Sequence, residues 1–388
     1  MRKIKTLSVV YAHHESHGPQ IFAIELLSKY CKQVDLLYAN VAETSWEFPA
    51  NVTLIKDRKK LMAQETVYKK NIFKKWSYFF RFVFIMLKQI RRNRYDLIVL
   101  FNPPALLAIR IIYKLIPKKT IVWYHNYEPV DPTTVKKYSQ GWFGYKAMKK
   151  TFSKIDFFSF SEKEREIFFP IHLLKTKYLI FPNYSLLELH DAKKREINDN
   201  KVKLLFSGVI SPGNGLEEII ELLQSDIGGK GLELILKGYL KDDYKSQLLE
   251  LAKKYQVQEK ITIIPVGPWQ DVPSVIRRGN IGINICTKRD ITSQTLGKGG
   301  SGKIFQYIAE GLPVLINSDM KKYFEEYSWA IGTSLEQSSL KKNIEQIINN
   351  YDNLSQSAAD SFKTELNCNI YFEELFQNVS AKINGALD

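Results

Sequence analysis

A glycine-rich run with lysine and serine side chains lies between Gly297 and Lys303, where the sequence reads GKGGSGK. It directly precedes an amphipathic segment that predicts a helix, so its backbone N–H groups would form the N-terminus of that helix. Unpaired N–H groups and the helix dipole attract anions at this position, and a lysine adds a point charge. We therefore expect Ser301, Gly302 and Lys303 to contact phosphate, with Lys298 nearby.

A second glycine-rich loop, GVISPGNG, runs from Gly208 to Gly215 between a predicted strand and a predicted helix. Gly208 would let the backbone approach a ligand closely, and Gly215 would begin the helix. Lys237 and Gly238 follow the next predicted strand and are candidates for the same pocket. The alternative interpretation is an ordinary strand-to-helix turn that binds nothing.

Two polar loops in the first half carry the residue types of general acid–base catalysis. HHESHG (residues 13–18) follows the first predicted strand, and WYHNYEPVDP (residues 123–132) follows a later one. A carboxylate or an imidazole in such a loop can deprotonate a hydroxyl group. We rank Glu128, His125 and Glu15 as candidate bases, with simple bracing of the loops as the alternative. The irregular spacing of the histidines does not predict a metal site.

A basic and aromatic segment extends from Lys59 to Arg94, with 11 Lys/Arg residues and a single acid. Lys74, Arg81 and Lys88 recur every seven residues and would share one helix face, and aromatic residues such as Trp76 are interleaved with them. A basic amphipathic helix with aromatics is typical of an interfacial anchor on anionic lipid. The alternative is a core-facing helix with a solvated basic face.

The positive charge of the chain is concentrated in its first half. The 388 residues carry a formal net charge of +15, and residues 1–200 hold 35 Lys/Arg against 18 Asp/Glu, which leaves the remainder nearly neutral. Halves that differ this much in charge are expected to meet different partners. Because no nucleic-acid-binding motif accompanies the basic half, nucleic acid is not among the partners that we expect.

Length and cysteine use bound the class of protein. A chain of 388 residues predicts two domains. The three cysteines form no CxxC pair, which favours reduced thiols and an intracellular site. The apolar stretch near the N-terminus is too short for a signal peptide, and the longest apolar run, Trp76–Leu87, is interrupted by Arg81 and too short to span a bilayer.

Strand-length apolar runs alternate with helix-forming segments in both halves of the sequence. The predicted strands are Ile4–Tyr11, Val34–Tyr38, Val52–Ile55, Leu97–Phe101, Thr120–Tyr124, Phe157–Phe160, Tyr178–Phe181, Lys203–Ser207, Leu232–Leu236, Ile261–Ile264, Ile281–Ile285 and Val314–Ile316. The predicted helices are Pro19–Cys31, Ile72–Arg92, Ala105–Leu115, Phe143–Phe152, Glu162–Phe169, Leu216–Leu223, Tyr244–Tyr255, Val272–Arg277, Ile304–Glu310 and Leu340–Asn349. This alternation predicts an α/β fold of two doubly wound parallel sheets.

The predicted domain boundary lies in the polar segment 186–200, which breaks the alternation. Residues 1–185 would form an acceptor-binding first domain, and residues 201–365 a second domain that holds a nucleotide. Residues 366–388 are expected to form a C-terminal helix that packs back on the first domain. Because ligands of doubly wound sheets bind at the carboxyl ends of the strands, both glycine-rich loops fall where a ligand is expected.

Several stretches in this order resemble the GT-B fold glycosyltransferases, in particular the GT4-like group of bacterial surface polysaccharide synthesis. They are FSFSEKEREIF, FPNYS, KVKLLFSGVISPGNGLEEII, ILKGYL, VGPWQDVPSVIRRGNIGIN and SGKIFQYIAEGLPVLIN, which together span roughly residues 155 to 317. The resemblance rests on the order and spacing of the whole series. The first 150 residues match the family only in pattern.

The resemblance implies two Rossmann-like domains that face across a cleft, with a nucleotide-sugar donor on the second and a saccharide acceptor, lipid-linked, on the first. It implies no metal and no cofactor, since the nucleotide-sugar is itself the substrate and a nucleoside diphosphate the product. A location on the cytoplasmic face of the cell membrane would fit. The implied donor-binding residues are Gly208, Asn214, Gly215, Lys237, Gly238, Lys298, Ser301, Gly302, Lys303 and Gln306.

The sequence departs from the family at the donor site. The usual basic pair is missing from the first glycine loop, where Asn214 takes the usual lysine place, and two family glutamates are replaced by Lys298 and Gln306. The Gln306 amide would keep hydrogen bonds to sugar hydroxyls without the charge. The stereochemical outcome, retaining or inverting, therefore stays open. So do two alternatives, a nucleotide-sugar epimerase on the same fold and a non-catalytic membrane partner of a polysaccharide assembly complex.

Overall fold

The computed structural model describes residues 4–40, 43–58, 72–197, 200–287 and 297–385. The chain divides into two compact units. The first comprises Met1–Asn183 together with Cys368–Asp388, and the second comprises Tyr184–Asn367. Each unit is built on one parallel sheet, as expected for strands that alternate with helices.

The sheet of the first unit has seven described strands in the order β3-β2-β1-β4-β5-β6-β7, all parallel. The strands are β1 (Lys5–Val10), β2 (Gln33–Tyr38), β3 (Val52–Lys56), β4 (Leu97–Phe101), β5 (Ile121–Asn126), β6 (Phe157–Phe160) and β7 (Leu179–Ile180). The central strand β4, with the sequence LIVLF, is buried along its whole length. Burial on both faces explains why this strand is continuously apolar and does not alternate.

Helices of the first unit cover this sheet. They are α1 (Gly18–Tyr30), α2 (Ile72–Asn93), α3 (Pro103–Ile112), α4 (Gln140–Thr151) and, after the second unit, α11 (Cys368–Ile383). The segment predicted as a helix from Glu162 to Phe169 is instead a 3-10 helix over Lys163–Phe168. Pro170 follows directly and has no N–H to continue a helical ladder, which limits the segment to a short turn.

The sheet of the second unit has six described strands in the order β10-β9-β8-β11-β12-β13, again all parallel. They are β8 (Lys201–Ile210), β9 (Gly231–Leu240), β10 (Ile261–Ile264), β11 (Ile281–Asn284), β12 (Val314–Asn317) and β13 (Ala330–Thr333). The helices are α5 (Leu216–Leu222), α6 (Asp242–Lys254), α7 (Val272–Ile276), α8 (Gly302–Ala309), α9 (Gln337–Asn349) and α10 (Tyr351–Thr364).

Strands β8 and β9 are longer than the sequence predicted, because their pairing continues through two glycines. Gly208 is the register partner of Gly238. A Cβ atom on Gly238 would lie 1.9 Å from the carbonyl oxygen of Gly208, and Gly238 has a φ of +137°. Only glycine fits both the space and the backbone angle here. The two strands therefore extend past the apolar core to the carboxyl edge of the sheet.

Two elements of the second unit were missed by the sequence patterns, β13 and α10. The strand is short, and one of its residues is Gly332, which weakens the strand pattern. The helix buries small side chains such as Ala358 and Ala359, whose apolar periodicity is weak. With these elements added, both domains are doubly wound parallel α/β structures, and the predicted fold class is confirmed.

Candidate functional site

The carboxyl edge of the second sheet has a topological switch point between β8 and β11. Strands β9 and β10 lie on one side of β8, whereas β11, β12 and β13 lie on its other side. Loops that leave neighbouring strands at such a point turn to opposite faces and open a crevice in which ligands of this fold bind. Both glycine-rich segments lie at this edge, since one runs from the last residues of β8 to the start of α5 and the other runs into the start of α8.

Lys303 lies at this switch point, in the first turn of α8. Its Nζ atom lies 4.0 Å from the centroid of the Phe206 ring on β8, and a Cβ atom on Gly208 would be 3.8 Å from Nζ. Burial lowers the pKa of Lys303 to about 8, an effect that Cys286 partly opposes. Within the described part of the chain, the amine has no hydrogen-bond or ion-pair partner. A half-buried ammonium group without a partner can bind an anion.

The first turn of α8 adds backbone donors beside the amine. The N–H groups of Gly302 and Lys303 have no acceptor among the described residues, as expected at a helix N-terminus. Ser301 precedes them, and its hydroxyl hydrogen-bonds Asn284 Oδ1 on β11 at 3.0 Å without capping the helix. The structure thus brings Ser301, Gly302 and Lys303 together, and their contact with phosphate stays a prediction.

Lys237 has a different role in the structure from that of a free cation. Its Nζ donates a 2.7 Å hydrogen bond to the carbonyl oxygen of Pro265, in the loop after β10. Burial lowers the pKa of Lys237, and the nearby Asp271 carboxylate opposes that effect. Lys237 therefore anchors the loop after β10. Gly238 serves the pairing of β8 with β9 described above.

Asn214 and Gly215 shape the loop between β8 and α5. The Asn214 Oδ1 atom accepts a 2.8 Å hydrogen bond from the backbone N–H of Ser211, which closes the loop on itself. Gly215 has a φ of +68°, and a Cβ atom there would lie 2.7 Å from Leu335. The loop needs both residues for its own conformation.

Lys298 and Gln306 stand where the GT4-like group usually has two glutamates, and their surroundings differ. Lys298 forms an ion pair with Glu326 and a 3.3 Å hydrogen bond to the hydroxyl of Tyr327, which leaves it little freedom to reach phosphate. Gln306 is only 8% exposed and lies one turn after Lys303 on α8. In the described parts of the chain its amide has no hydrogen-bond partner. Gln306 is thus available to a ligand, whereas Lys298 is already paired.

Two of the three candidate bases in the first unit are held inside the structure. His125, on β5, is 1% exposed, and its Nδ1 atom lies 2.9 Å from the hydroxyl of Ser159. Burial lowers the pKa of His125 to about 3, so the imidazole is neutral and enclosed. The structure therefore does not place it where an acceptor hydroxyl could reach it.

Glu15 is occupied by the segment that follows β2. Its carboxylate accepts hydrogen bonds from the N–H groups of Ser45 at 2.6 Å and Trp46 at 2.9 Å, and from the Ser45 hydroxyl. Burial raises the pKa of Glu15, but these hydrogen bonds outweigh it and hold the pKa below the usual value. The carboxylate braces its surroundings, which was the alternative interpretation of this loop.

Glu128 is exposed in the loop that follows β5. It lies within electrostatic reach of His17, a residue that the ranking of candidate bases left out. The two residues come from loops that leave different strands, so no local pattern in the sequence connects them. The HHESHG loop was the only available signal, and it did not distinguish His17 from its neighbours.

Helix α2 presents the predicted basic face to solvent. Its inner face, with Phe79, Phe82 and Met86, is buried in the core of the first unit. Trp76 is half-buried and packs edge-on against Phe143 at 5.2 Å, so it braces α4. The exposed α2 face consists of Phe73, Phe80, Phe84, Lys74, Arg81 and Lys88.

The three phenylalanines of the exposed α2 face are 78%, 54% and 66% exposed. Large apolar side chains beside cations on one helix face are typical of a surface that meets a partner. No described helix has the length and apolar character needed to cross a membrane. Within the described residues, no cluster of His, Cys, Asp and Glu side chains could hold a metal ion.

Similarity to solved structures extends over almost the whole chain. A sucrose-phosphate synthase from Thermosynechococcus elongatus matches with a TM-score of 0.69 at 12% identity, covering 97% of this chain and 100% of that one. Anabaena Alr3699/HepE in complex with UDP-glucose matches with a TM-score of 0.67 at 12% identity and the same coverage. WaaG, a glycosyltransferase involved in lipopolysaccharide biosynthesis, matches with a TM-score of 0.63 at 14% identity, covering 98% of this chain and 100% of that one.

No family model and no curated protein matches the sequence. Identities of 12–14% show a shared fold and nothing finer. The chain therefore has the fold of these GT-B glycosyltransferases, and the resemblance seen in its sequence motifs is confirmed at that level.

Proposed function

We propose that the protein is a glycosyltransferase that moves a sugar from a nucleotide-sugar donor to a saccharide acceptor. The observation that carries the proposal is Lys303, a half-buried cation without an anionic partner among the described residues, at the switch point of a GT-B second sheet. Departure of a nucleoside diphosphate leaves negative charge on the pyrophosphate. Lys303 and the N–H groups that begin α8 would stabilise that charge as it develops.

The solved structures support a nucleotide-sugar as donor. Anabaena Alr3699/HepE was crystallised with UDP, with UDP and glucose, and with UDP-glucose. In this chain Gln306 lies one helical turn beyond Lys303, and its side-chain amide has no hydrogen-bond partner among the described residues. An amide there would bind hydroxyl groups of the nucleotide-sugar, as both donor and acceptor.

The test is nucleotide binding by calorimetry, with UDP and GDP as probes, followed by transfer assays with a panel of nucleotide-sugars and lipid extracts as acceptors. We expect Lys303→Ala to weaken diphosphate binding by roughly 10- to 100-fold, since charge-assisted contacts contribute about 1.5–3 kcal/mol. Lys341→Ala, at an exposed lysine of α9, is the matched control and should bind normally. Binding of neither nucleotide, together with no transfer, would contradict the proposal.

The same assays separate the two alternatives. Isomerisation of the donor sugar without any acceptor would indicate an epimerase. Nucleotide binding without turnover of any donor would indicate a non-catalytic partner of an assembly complex. Turnover that Lys303→Ala abolishes excludes that second alternative.

We also propose that the enzyme works at an anionic membrane surface, with a lipid-linked saccharide as acceptor, in the synthesis of a bacterial surface polysaccharide. The support is the exposed α2 face, which sets three phenylalanines beside three cations. Phenylalanine inserts between lipid headgroups, and each cation near an anionic surface contributes about 1 kcal/mol. WaaG, a structural neighbour, is itself involved in lipopolysaccharide biosynthesis. The site of action would be the cytoplasmic face of the membrane.

Vesicle sedimentation tests the membrane proposal. We expect binding to vesicles that contain phosphatidylglycerol and little binding to vesicles of phosphatidylcholine alone. The change Lys74→Glu with Arg81→Glu and Lys88→Glu should lower binding by more than about 100-fold at low salt. The matched control reverses the same number of exposed lysines on α6, Lys245, Lys253 and Lys254. Equal binding of the two triple variants would refute a role for the exposed α2 face.

A further inference from the structure

A cleft of about 440 Å³ lies at the amino ends of β8, β9 and β10, within the second unit, and we name it the amino-edge cleft. One side is the face of the sheet, to which Lys203, Glu233 and Thr262 contribute from the three adjacent strands. The other sides are the segment around Arg195 and the residues that follow α7. The volume lies within the range of small-molecule sites, roughly 300–1000 Å³.

The amino-edge cleft is separate from the candidate donor site at Lys303. A Cβ atom on Gly208 would lie 3.8 Å from Lys303 Nζ, near the carboxyl end of β8. Lys203 lies five residues earlier on the same strand, which corresponds to about 17 Å along an extended chain. A ligand in this cleft would therefore be a second one, bound at the opposite edge of the sheet.

Positive charge dominates the described lining of the cleft. Two carboxylates, those of Glu196 and Glu233, stand against five cations. Residues 201–388 are nearly neutral as a whole, so this excess is local and does not reflect a generally basic surface. A cleft lined mainly by one sign of charge focuses the electric field and concentrates ions of the opposite sign. The five cations are Arg195, Lys201, Lys203, Arg277 and Arg278.

The nearby carboxylates do not neutralise this charge. Glu233 already pairs with Lys201 at 2.6 Å. Glu310 lies 3.4 Å from Arg277 Nη1, but its carboxylate also hydrogen-bonds His190 at 2.8 Å, so it is shared. The Arg278 guanidinium has no hydrogen-bond or ion-pair partner among the described residues. The cleft thus keeps positive charge that the described protein groups leave unpaired.

Two of the arginines are held in position by contacts outside the cleft. The backbone N–H of Arg195 donates a 2.7 Å hydrogen bond to Ser355 Oγ on α10, and its guanidinium donates to the carbonyl oxygen of Arg277. The Arg277 side chain is oriented by the buried Glu310 carboxylate. A planar guanidinium binds phosphate oxygens in pairs, and side chains that are already ordered lose less entropy when a ligand binds.

Asn280 adds a neutral donor to the same lining. Its Oδ1 atom accepts a 2.9 Å hydrogen bond from the backbone N–H of Lys203, which fixes the orientation of the amide. The Nδ2 group has no acceptor within the described part of the chain. Cations and an uncharged N–H donor in one recess suit a ligand with several acceptor oxygens.

We propose that the amino-edge cleft binds a soluble phosphorylated small molecule that carries two phosphate groups, as a second ligand of the second unit. Each phosphate group has a charge of about −1.5 to −2 at pH 7, so two of them match the excess of three cations over carboxylates. A recess between two walls suits a small molecule, whereas a flat bilayer surface would not enter it. This inference goes beyond the proposed function and does not depend on it.

The first experiment is calorimetry with pyrophosphate on the Lys303→Ala protein, in which the proposed donor site is weakened. We expect a dissociation constant below about 1 mM. Adding Arg278→Gln and Lys203→Gln should weaken binding by at least about 100-fold, since each removes a charge-assisted contact. The control adds Lys341→Gln and Lys342→Gln, which remove two exposed charges from α9 of the same unit. Urea titration verifies that every variant is folded.

The second experiment locates the bound pyrophosphate on the wild-type protein. Phenylglyoxal modifies accessible arginines, and mass spectrometry of the peptides identifies each modified residue. Pyrophosphate should slow the modification of Arg277 and Arg278 by more than about fivefold. Arg91 and Arg92, which are exposed on α2 of the first unit, should react at an unchanged rate.

The outcomes separate this inference from the proposed function. Equal pyrophosphate binding by the two sets of variants, or no protection of Arg277 and Arg278, overturns the inference and leaves the glycosyltransferase proposal intact. Protection of these arginines in a protein that binds neither UDP nor GDP supports the inference while the glycosyltransferase proposal fails. A cleft that binds lipid headgroups instead would appear as loss of phosphatidylglycerol vesicle binding in Arg278→Gln with Lys203→Gln, without loss of pyrophosphate binding, and that result also overturns the inference.

Discussion

If the protein has the proposed function, binding of a nucleoside diphosphate should depend steeply on pH, because the Lys303 amine would carry the positive charge that contacts the diphosphate. Burial of the Lys303 amine, which lies over the Phe206 ring, lowers the pKa of Lys303 to about 8 in the free protein. A bound diphosphate favours the ammonium form and raises that pKa. In the protein without a bound nucleotide, the Lys303 side chain is therefore mostly charged at pH 7, half charged at pH 8 and about one-tenth charged at pH 9.

The magnitude follows from these populations. Above pH 8, the value to which burial lowers this pKa, each further pH unit should weaken binding about tenfold, or about 1.4 kcal/mol, until the pKa of the bound state is reached. The terminal phosphate of the nucleotide loses its second proton near pH 6, so this group does not contribute to the trend above about pH 7.5. At pH 8 binding should take up about half a proton.

Calorimetry in two buffers of different ionisation enthalpy measures both the dissociation constant and the proton uptake. Lys303→Arg keeps a charge at all of these pH values, so its binding should show no such pH trend. Lys303→Ala should bind weakly and also without the trend. A wild-type dissociation constant that stays constant from pH 7 to 9.5, with no proton uptake, would refute the reasoning.

Three further predictions concern stability. Gly238→Ala should lower the free energy of unfolding in a urea titration by more than about 2 kcal/mol, because its Cβ atom would overlap the Gly208 carbonyl; the exposed Gly385→Ala is the control. His14 is fully buried with its pKa lowered to about 4, so the folded protein should lose about 2 kcal/mol between pH 7 and 5 as the unfolded chain takes up the proton. His14→Phe should reduce that loss in urea titrations at the same pH values. An unchanged difference in the free energy of unfolding between pH 7 and 5 would contradict this. Phe372→Ala should cost about 3–5 kcal/mol by thermal or urea unfolding, since Phe372 is fully buried on α11; a change below about 1 kcal/mol would show that α11 adds little.

The order of the elements was predictable because the periodicity of apolar residues is a local property. Strands β4, β6 and β10 begin and end where the sequence predicts. The lengths of β8 and β9 were not predictable, since they depend on Gly208 meeting Gly238 across the sheet. No window of sequence around either glycine contains that information.

The candidate site residues also differ in whether local sequence determines their positions. Ser301, Gly302 and Lys303 are neighbours in sequence, and a glycine-rich helix start positions them without help from elsewhere. Glu15 and His125 have the right chemistry in the right kind of loop, but distant partners already occupy or enclose them. The proximity of His17 to Glu128 depends on which strands are adjacent, and a single sequence does not give that arrangement.

The bridge between Ser185 and Asn367 has a consequence for how this protein can be recombined. The two residues lie at the start and the end of the second unit and pair as a parallel bridge. The second unit is therefore an insertion whose entry and exit share one point in its own structure. Two cuts there would separate the second unit as one continuous segment, and another unit of the same fold could be joined to the same two ends with little adjustment of the linkers.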